Sequence, residues 1–114
     1  MHLTTMNYTV KSRIWIESDE GVCLGNGRVR LLKAIEATGS LSKAAKSINM
    51  SYKKAWNLID AVNNNAEEPV VITATGGKDG GGARVTAYGK TLIQQFDKLN
   101  HETIDFVNRQ KPFA

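Results

Sequence analysis

Residues 39–65 constrain the fold most, because two apolar stripes at helical spacing follow one another across a short turn. The stripes are Leu41, Ala44, Ala45 and Ile48, and then Tyr52, Ala55, Trp56, Ile59 and Val62. Their spacing of three and four residues predicts two amphipathic helices, over 41–48 and 51–64, packed through these faces. Ser40 and Ser51 precede them, where a serine oxygen accepts a hydrogen bond from a free amide. This stretch therefore predicts a helix-turn-helix with its turn at Asn49–Met50 and with Trp56 in the core.

The other face of the second helix carries hydrogen-bond donors near its N-terminal end: Ser51, Lys53, Lys54 and Asn57. Lysine can donate to guanine or to phosphate, and asparagine can pair with adenine. No acidic residue lies between Glu36 and Asp60. Because an ordinary solvated face mixes both signs of charge, the pattern favours binding in a DNA major groove over a solvated helical hairpin.

The positive charge of the chain is concentrated around this unit. The 114 residues carry a net charge of +4. Between Arg28 and Asn57, seven basic residues face one acidic residue, a local net charge of +6. Such concentration suits a polyanionic partner. The length predicts one domain over 1–114, large enough to bury a core.

The few residues with other chemistry argue against an enzyme. Cys23 is the only cysteine and lies in an apolar run, so we expect a small buried side chain in a reducing cytoplasm. We expect no signal peptide, because the N-terminal residues lack an apolar segment, and no membrane span, because no apolar run is long enough for one. His101 opens a near miss to HExxH, with Asp105 in place of the second histidine, and is expected to be a solvated helix residue. No catalytic residue, metal site or cofactor is predicted.

The residues before this unit predict a hairpin and one more helix. Residues 8–17 alternate, turn chemistry follows at 18–21, and a short return strand ends at Leu24, which together predict a β-hairpin over 8–24. A helix is predicted over 28–38, ended by Gly39. A dinucleotide-binding GxGxxG pattern fails at Arg30.

A glycine-rich hairpin is predicted after the helix-turn-helix. Pro69 excludes a continuing helix, and 70–86 reads as two short strands joined by a glycine-rich loop. A P-loop would need Ser or Thr after its Gly-Lys pair, and it would join a strand to a helix. The hairpin instead fits a wing beside a helix-turn-helix, in which Lys78 and Arg84 reach phosphates or a minor groove.

A long helix over 87–109 closes the chain. Its apolar stripe contains Leu92, Phe96, Leu99, Thr103 and Phe106. Over about 20 residues this stripe is roughly 30 Å long, more than a small domain covers. The pattern favours a dimer formed through these five residues over packing of the helix on its own domain.

These motifs resemble the DNA-binding domain of ModE-type molybdate-responsive regulators, relatives of the LysR-type winged helix-turn-helix. The resemblance rests on GSLSKAAKSINMSYKKAWNLID (Gly39 to Asp60) and ATGGKDGGGARVTAYGKTLI (Ala74 to Ile93). It implies an α+β, mainly α fold and a transcriptional regulator that binds a palindromic operator as a homodimer. By position, Ser51, Tyr52, Lys53, Lys54 and Asn57 match the start of the recognition helix, and Lys78 and Arg84 match the wing.

Members of that family carry C-terminal oxyanion-binding domains, whereas this chain stops at Ala114. We therefore do not expect this chain to bind molybdate. An effector-free regulator, a separate sensor protein and a fragment of a longer chain all remain open.

Double-stranded DNA is the predicted partner, and a winged-helix module that binds proteins is the alternative. RNA is disfavoured because no aromatic-rich strand offers a stacking platform. The residues expected to contact DNA are Ser42, Lys43, Lys46, Ser51, Tyr52, Lys53, Lys54, Asn57, Lys78 and Arg84. Lys53, Lys54 and Asn57 are the candidates for base edges. The candidates for phosphate contacts are Lys43, Lys46, Lys78 and Arg84.

Overall fold

The computed structural model describes residues 6–74 and 82–112, and its elements follow the predicted order. They are β1 Ile16–Ser18, β2 Gly21–Leu24, α1 Asn26–Thr38, α2 Leu41–Ser47, α3 Tyr52–Asn64, β3 Val71–Thr73, β4 Ala83–Val85 and α4 Ala87–Asn108. Strands β1 and β2 form one antiparallel hairpin, and β3 and β4 form a second. The mainly helical α+β class is confirmed, with three helices between the two hairpins.

The N-terminal hairpin is shorter than its alternating pattern predicts. Only Ile16–Ser18 pairs with β2, and the register shifts between Ile16 and Glu17. The physical reason is the length of the partner: β2 ends at Leu24, and α1 begins at Asn26. The residues before Ile16 therefore have no strand to pair with, and helix α1 starts two residues before the predicted position.

Local chemistry sets the helix ends. The Ser40 hydroxyl accepts a hydrogen bond from the Lys43 amide at 3.2 Å, and the Ser51 hydroxyl accepts one from the Lys54 amide at 3.1 Å. Gly39 ends α1 with φ +68°, and Asn49 makes the turn between α2 and α3 with φ +56°. Both predicted serine caps and the predicted glycine terminus are confirmed.

One apolar core joins α1, α2, α3, both hairpins and the first half of α4. Ala44, Ala45 and Ala55 are fully buried, which allows the helices of the helix-turn-helix to cross closely. Cys23 is buried and free, as predicted. Burial raises the pKa of its thiol, and the nearby Arg28 guanidinium opposes part of that rise. Within the described ranges, no polar or charged residue is buried in this core.

The last helix packs on the core through only part of its predicted stripe. Ile93 and Phe96 are buried. Phe96 therefore belongs to the core of its own chain, which corrects its predicted place in a dimer interface. Leu99 and Phe106 are exposed further along α4. The second half of the helix projects from the body, and the radius of gyration is 18.1 Å, against about 13 Å for a compact chain of this length.

Candidate nucleic-acid interface

The first turns of α3 form a basic, solvent-exposed surface. Ser51, Tyr52, Lys53, Lys54 and Asn57 are all exposed. In the portion of the chain that the structure describes, neither lysine forms a salt bridge with a carboxylate. The predicted recognition residues therefore lie together on one helix end with their donors open to solvent.

Helix α2 adds charge beside this surface. Ser42, Lys43 and Lys46 are exposed, whereas Leu41, Ala44 and Ala45 of the same helix face the core. The helix-turn-helix thus separates its apolar and basic residues onto opposite faces. Its exposed side can meet a polyanion without moving a buried group.

Two asparagine side chains, which the sequence did not single out, attach α3 to the hairpins on either side. The Asn63 amide oxygen accepts from the backbone amides of Val70 and Val71 at 2.8 and 3.1 Å, and its nitrogen donates to the Val71 carbonyl at 2.9 Å. The Asn65 amide donates to the Val22 carbonyl of β2 at 2.8 Å. These bonds hold α3 between the two hairpins.

The wing contributes one described cation. Arg84 lies exposed on β4, opposite Ile72 of β3. Lys78 falls outside the residues that the structure describes. Thr86 anchors the base of the wing, because its hydroxyl donates to the Pro69 carbonyl at 2.7 Å and caps α4 by accepting from Gly89.

The predicted burial of Trp56 is wrong. Its relative exposure is 39%, and that of Tyr52 is 51%. The buried row of α3 is Ala55, Ile59 and Val62, and a residue one position from that row is turned by about 100° around the helix axis. Trp56 therefore lies with Tyr52 on an exposed flank of α3, beside the residues predicted to contact DNA, and the apolar stripe did not indicate this exposure.

Two cations of the basic segment between Arg28 and Asn57 also make contacts within the chain. Lys33 forms a salt bridge with Asp97 of α4 at 2.9 Å. The Arg28 guanidinium donates a hydrogen bond to the Val22 carbonyl. Lys33 thus ties α1 to α4, while the lysines of α2 and α3 remain directed to solvent.

His101 lies exposed on α4, 3.3 Å from Asp105, in agreement with its expected place on a solvated helix. Among the described residues, no three His, Cys, Asp or Glu side chains cluster as metal ligands. None of the helices in that part of the chain is long and apolar enough to cross a membrane.

Comparison with known proteins places this surface in context. Over 91 residues the chain is 43% identical to "Molybdenum transport protein ModE" of Azotobacter vinelandii, which covers 80% of this chain and 34% of that protein. It is 50% identical over 72 residues to the "DNA-binding transcriptional dual regulator ModE" of Escherichia coli K12, covering 63% of this chain and 28% of the relative. This chain is homologous to the DNA-binding region of ModE transcriptional regulators. It spans about a third of the length of these relatives.

A solved structure supports the fold independently. A MarR family transcriptional regulator from Silicibacter pomeroyi superposes with a TM-score of 0.55 at 19% identity, over 78% of this chain and 61% of that one. The winged helix-turn-helix is thereby confirmed as the fold. No protein-family model matches the chain. The ModE relatives are regulators and not enzymes, which agrees with the absence of predicted catalytic residues.

Proposed function

We propose that this chain is a sequence-specific, double-stranded DNA-binding regulator of the ModE type that acts in the cytoplasm. The observation that carries the proposal is the exposed, acid-free N-terminal end of α3, a helix whose C-terminal end is bonded to both hairpins. The homology to a DNA-binding regulator supports it. We propose no cofactor and no molybdate binding for this chain.

In the proposed complex, the first turns of α3 enter the major groove. Lys53, Lys54 and Asn57 donate to base edges, and Ser51 lies at the groove floor with them. Ser42, Lys43, Lys46 and Arg84 contact phosphates, which fix the orientation of the protein but carry no sequence information. Tyr52 and Trp56 offer apolar contact, of the kind that recognises a thymine methyl group.

The operator is proposed to be a palindrome read by a homodimer. Two copies would place their α3 helices in successive major grooves, with half-sites about 34 Å apart. The projecting half of α4 supports this arrangement, because it leaves Leu99 and Phe106 without cover from their own chain.

Selection of duplexes from a random pool, followed by gel shifts, tests the function. We expect one enriched palindromic sequence and a steep fall in affinity with salt. Lys53→Ala should weaken binding to that sequence by about 1–3 kcal/mol and relax its base preference, because the lost contact is to a base edge. Lys98→Ala, which removes an equal charge from α4, should leave the preference unchanged. If Lys53→Ala weakens binding equally on every sequence, Lys53 contacts phosphate and not a base edge. If the wild-type chain fails to bind any duplex, the proposed function is wrong.

A winged-helix module that binds a protein is the second candidate, and the exposed Tyr52 and Trp56 favour it. Aromatic side chains are enriched at protein interfaces. A partner bound chiefly through them should tolerate the loss of Lys53 and Lys54 together, whereas DNA binding should not. The double alanine variant therefore separates the two candidates.

A further inference from the structure

An open cleft lies beside the recognition helix, on the side of the N-terminal hairpin. We call it the hairpin cleft; its volume is about 520 Å³, and it is lined by Arg13, Trp15, Arg28, Met50, Lys54 and Leu58 among others. Three cations and no acidic residue line it. Its volume lies within the range of about 300–1,000 Å³ that is usual for ligand pockets. The cleft is therefore larger than the space that a single bound ion occupies.

The hairpin cleft and the wing lie on opposite flanks of α3. One flank carries Tyr52, Trp56 and Asn63, because spacings of four and seven residues place side chains on the same side of a helix. Asn63 bonds to β3 on this flank. Lys54 and Leu58 share the other flank with Asn65, which bonds to β2. Tyr52 and Lys54 are two positions apart, and so about 200° apart around the helix axis.

This placement matches the form of a major groove. A helix in that groove, which is about 12 Å wide, has one sugar-phosphate backbone on each side. On one flank the C-terminal end of α3 bonds to β3 of the wing, and the hairpin cleft opens on the other. We infer that the hairpin cleft binds the sugar-phosphate backbone of DNA on the side of the major groove opposite the wing, through Arg13 and Arg28. This inference rests on the proposed function.

The lining of the cleft fits that ligand better than it fits a free anion. A nucleic-acid backbone alternates anionic phosphates with apolar sugar carbons, and the cleft combines cations with the apolar side chains of Trp15, Met50 and Leu58. Arg13 is exposed and forms no salt bridge in the described segments, so its guanidinium is available for phosphate. Arg28 already donates to the Val22 carbonyl and is held in place by that bond.

Arg13→Ala tests the inference, because an exposed side chain can be removed without opening the core. On the selected duplex and on unrelated duplexes alike, we expect about tenfold weaker binding and a salt slope smaller by about one. Lys98→Ala is the charge-matched control outside the cleft and should change neither. If Arg13→Ala binds duplex DNA with the affinity and the salt dependence of the wild-type chain, the inference is wrong and the proposed function still holds.

Modified DNA supplies a second measurement, in which charges are removed from the DNA backbone. Single methylphosphonate linkages remove one backbone charge at a time. One or two linkages beside the half-site should weaken wild-type binding and should not weaken Arg13→Ala further. If every linkage affects both proteins equally, or if adenosine monophosphate binds in an Arg13-dependent way while duplex affinity is unchanged, the cleft is a site for a free phosphate compound and the inference fails.

Discussion

At the scale of single residues, the exposure of Trp56 places it on the surface of α3 that would face DNA under the proposed function. Because 39% of its surface is open, Trp56→Ala should lower the free energy of unfolding by about 1–2 kcal/mol, less than the roughly 3–5 kcal/mol of a core tryptophan. The same change should weaken specific DNA binding by about 1–2 kcal/mol, since it removes apolar surface that DNA would cover. Chemical denaturation and gel shifts of one preparation measure both.

Ile59→Ala is the matched control on the same helix, because Ile59 is buried. It should cost about 2–5 kcal/mol of stability and leave the affinity of the folded fraction unchanged. Loss of folding in Trp56→Ala, or unchanged affinity in a folded Trp56→Ala, would contradict the surface role.

The serine caps and Trp56 show which residues could be predicted from the sequence. Ser40 and Ser51 bond within their own first turns, so neighbouring residues alone determine them. The burial of Trp56 depends on how far neighbouring elements extend around α3, and a periodic stripe does not contain that information. Asn63 and Asn65 were missed for the same reason, since their partners Val71 and Val22 lie on strands outside the helix.

At the scale of secondary-structure elements, Gly89 sets how closely α4 approaches the wing. A Cβ atom on Gly89 would lie 2.6 Å from the Val70 carbonyl oxygen and 2.8 Å from a Val85 methyl carbon. Helix propensity alone predicts that Gly89→Ala stabilises α4 by about 1 kcal/mol. We expect the opposite, a loss of about 1–3 kcal/mol, because the backbone at Val70 must move away. Thermal unfolding of the variant shows whether the free energy of unfolding rises or falls.

Gly27→Ala in α1 is the control for this change. Nothing lies within 4 Å of a Cβ at Gly27, so alanine there should stabilise the chain by about 0.5–1 kcal/mol. Equal and stabilising effects at both glycines would show that α4 does not press on the wing.

The elements themselves were largely predictable, because capping residues and periodicity mark the helices locally. The length of the N-terminal hairpin was overestimated. The alternation over 8–17 shows that these residues can pair as a strand, but it does not show how long the partner strand is. Among the site residues, the lysines of α2 and α3 lie on the exposed faces that their helical positions predict. The hairpin cleft could not be predicted, because it joins residues from the N-terminal segment, α1 and α3.

At the scale of the whole molecule, the extents of 69 × 29 × 21 Å show an elongated chain, and the second half of α4 lies outside the core. The predicted stripe of α4 divides into two parts. Leu92 and Phe96 pack on the core, whereas Leu99 and Phe106 are 49% and 58% exposed. Periodicity shows only that one face of the helix is apolar, and it does not show where the chain's own core ends. The proposed dimer contact therefore begins near Leu99.

Leu99→Glu combined with Phe106→Glu tests this contact. Two carboxylates on the apolar face should separate the subunits, because each would be buried without a partner in the dimer. Sedimentation should show a dimer for the wild-type chain and a monomer for the variant. Affinity for the palindromic duplex should fall far more than affinity for a single half-site, because each half-site then binds an independent subunit. Gln94→Glu with Asn108→Glu adds the same charge at exposed positions on another face of α4 and should remain dimeric. If the Leu99→Glu, Phe106→Glu variant also stays dimeric, the subunit contact lies elsewhere.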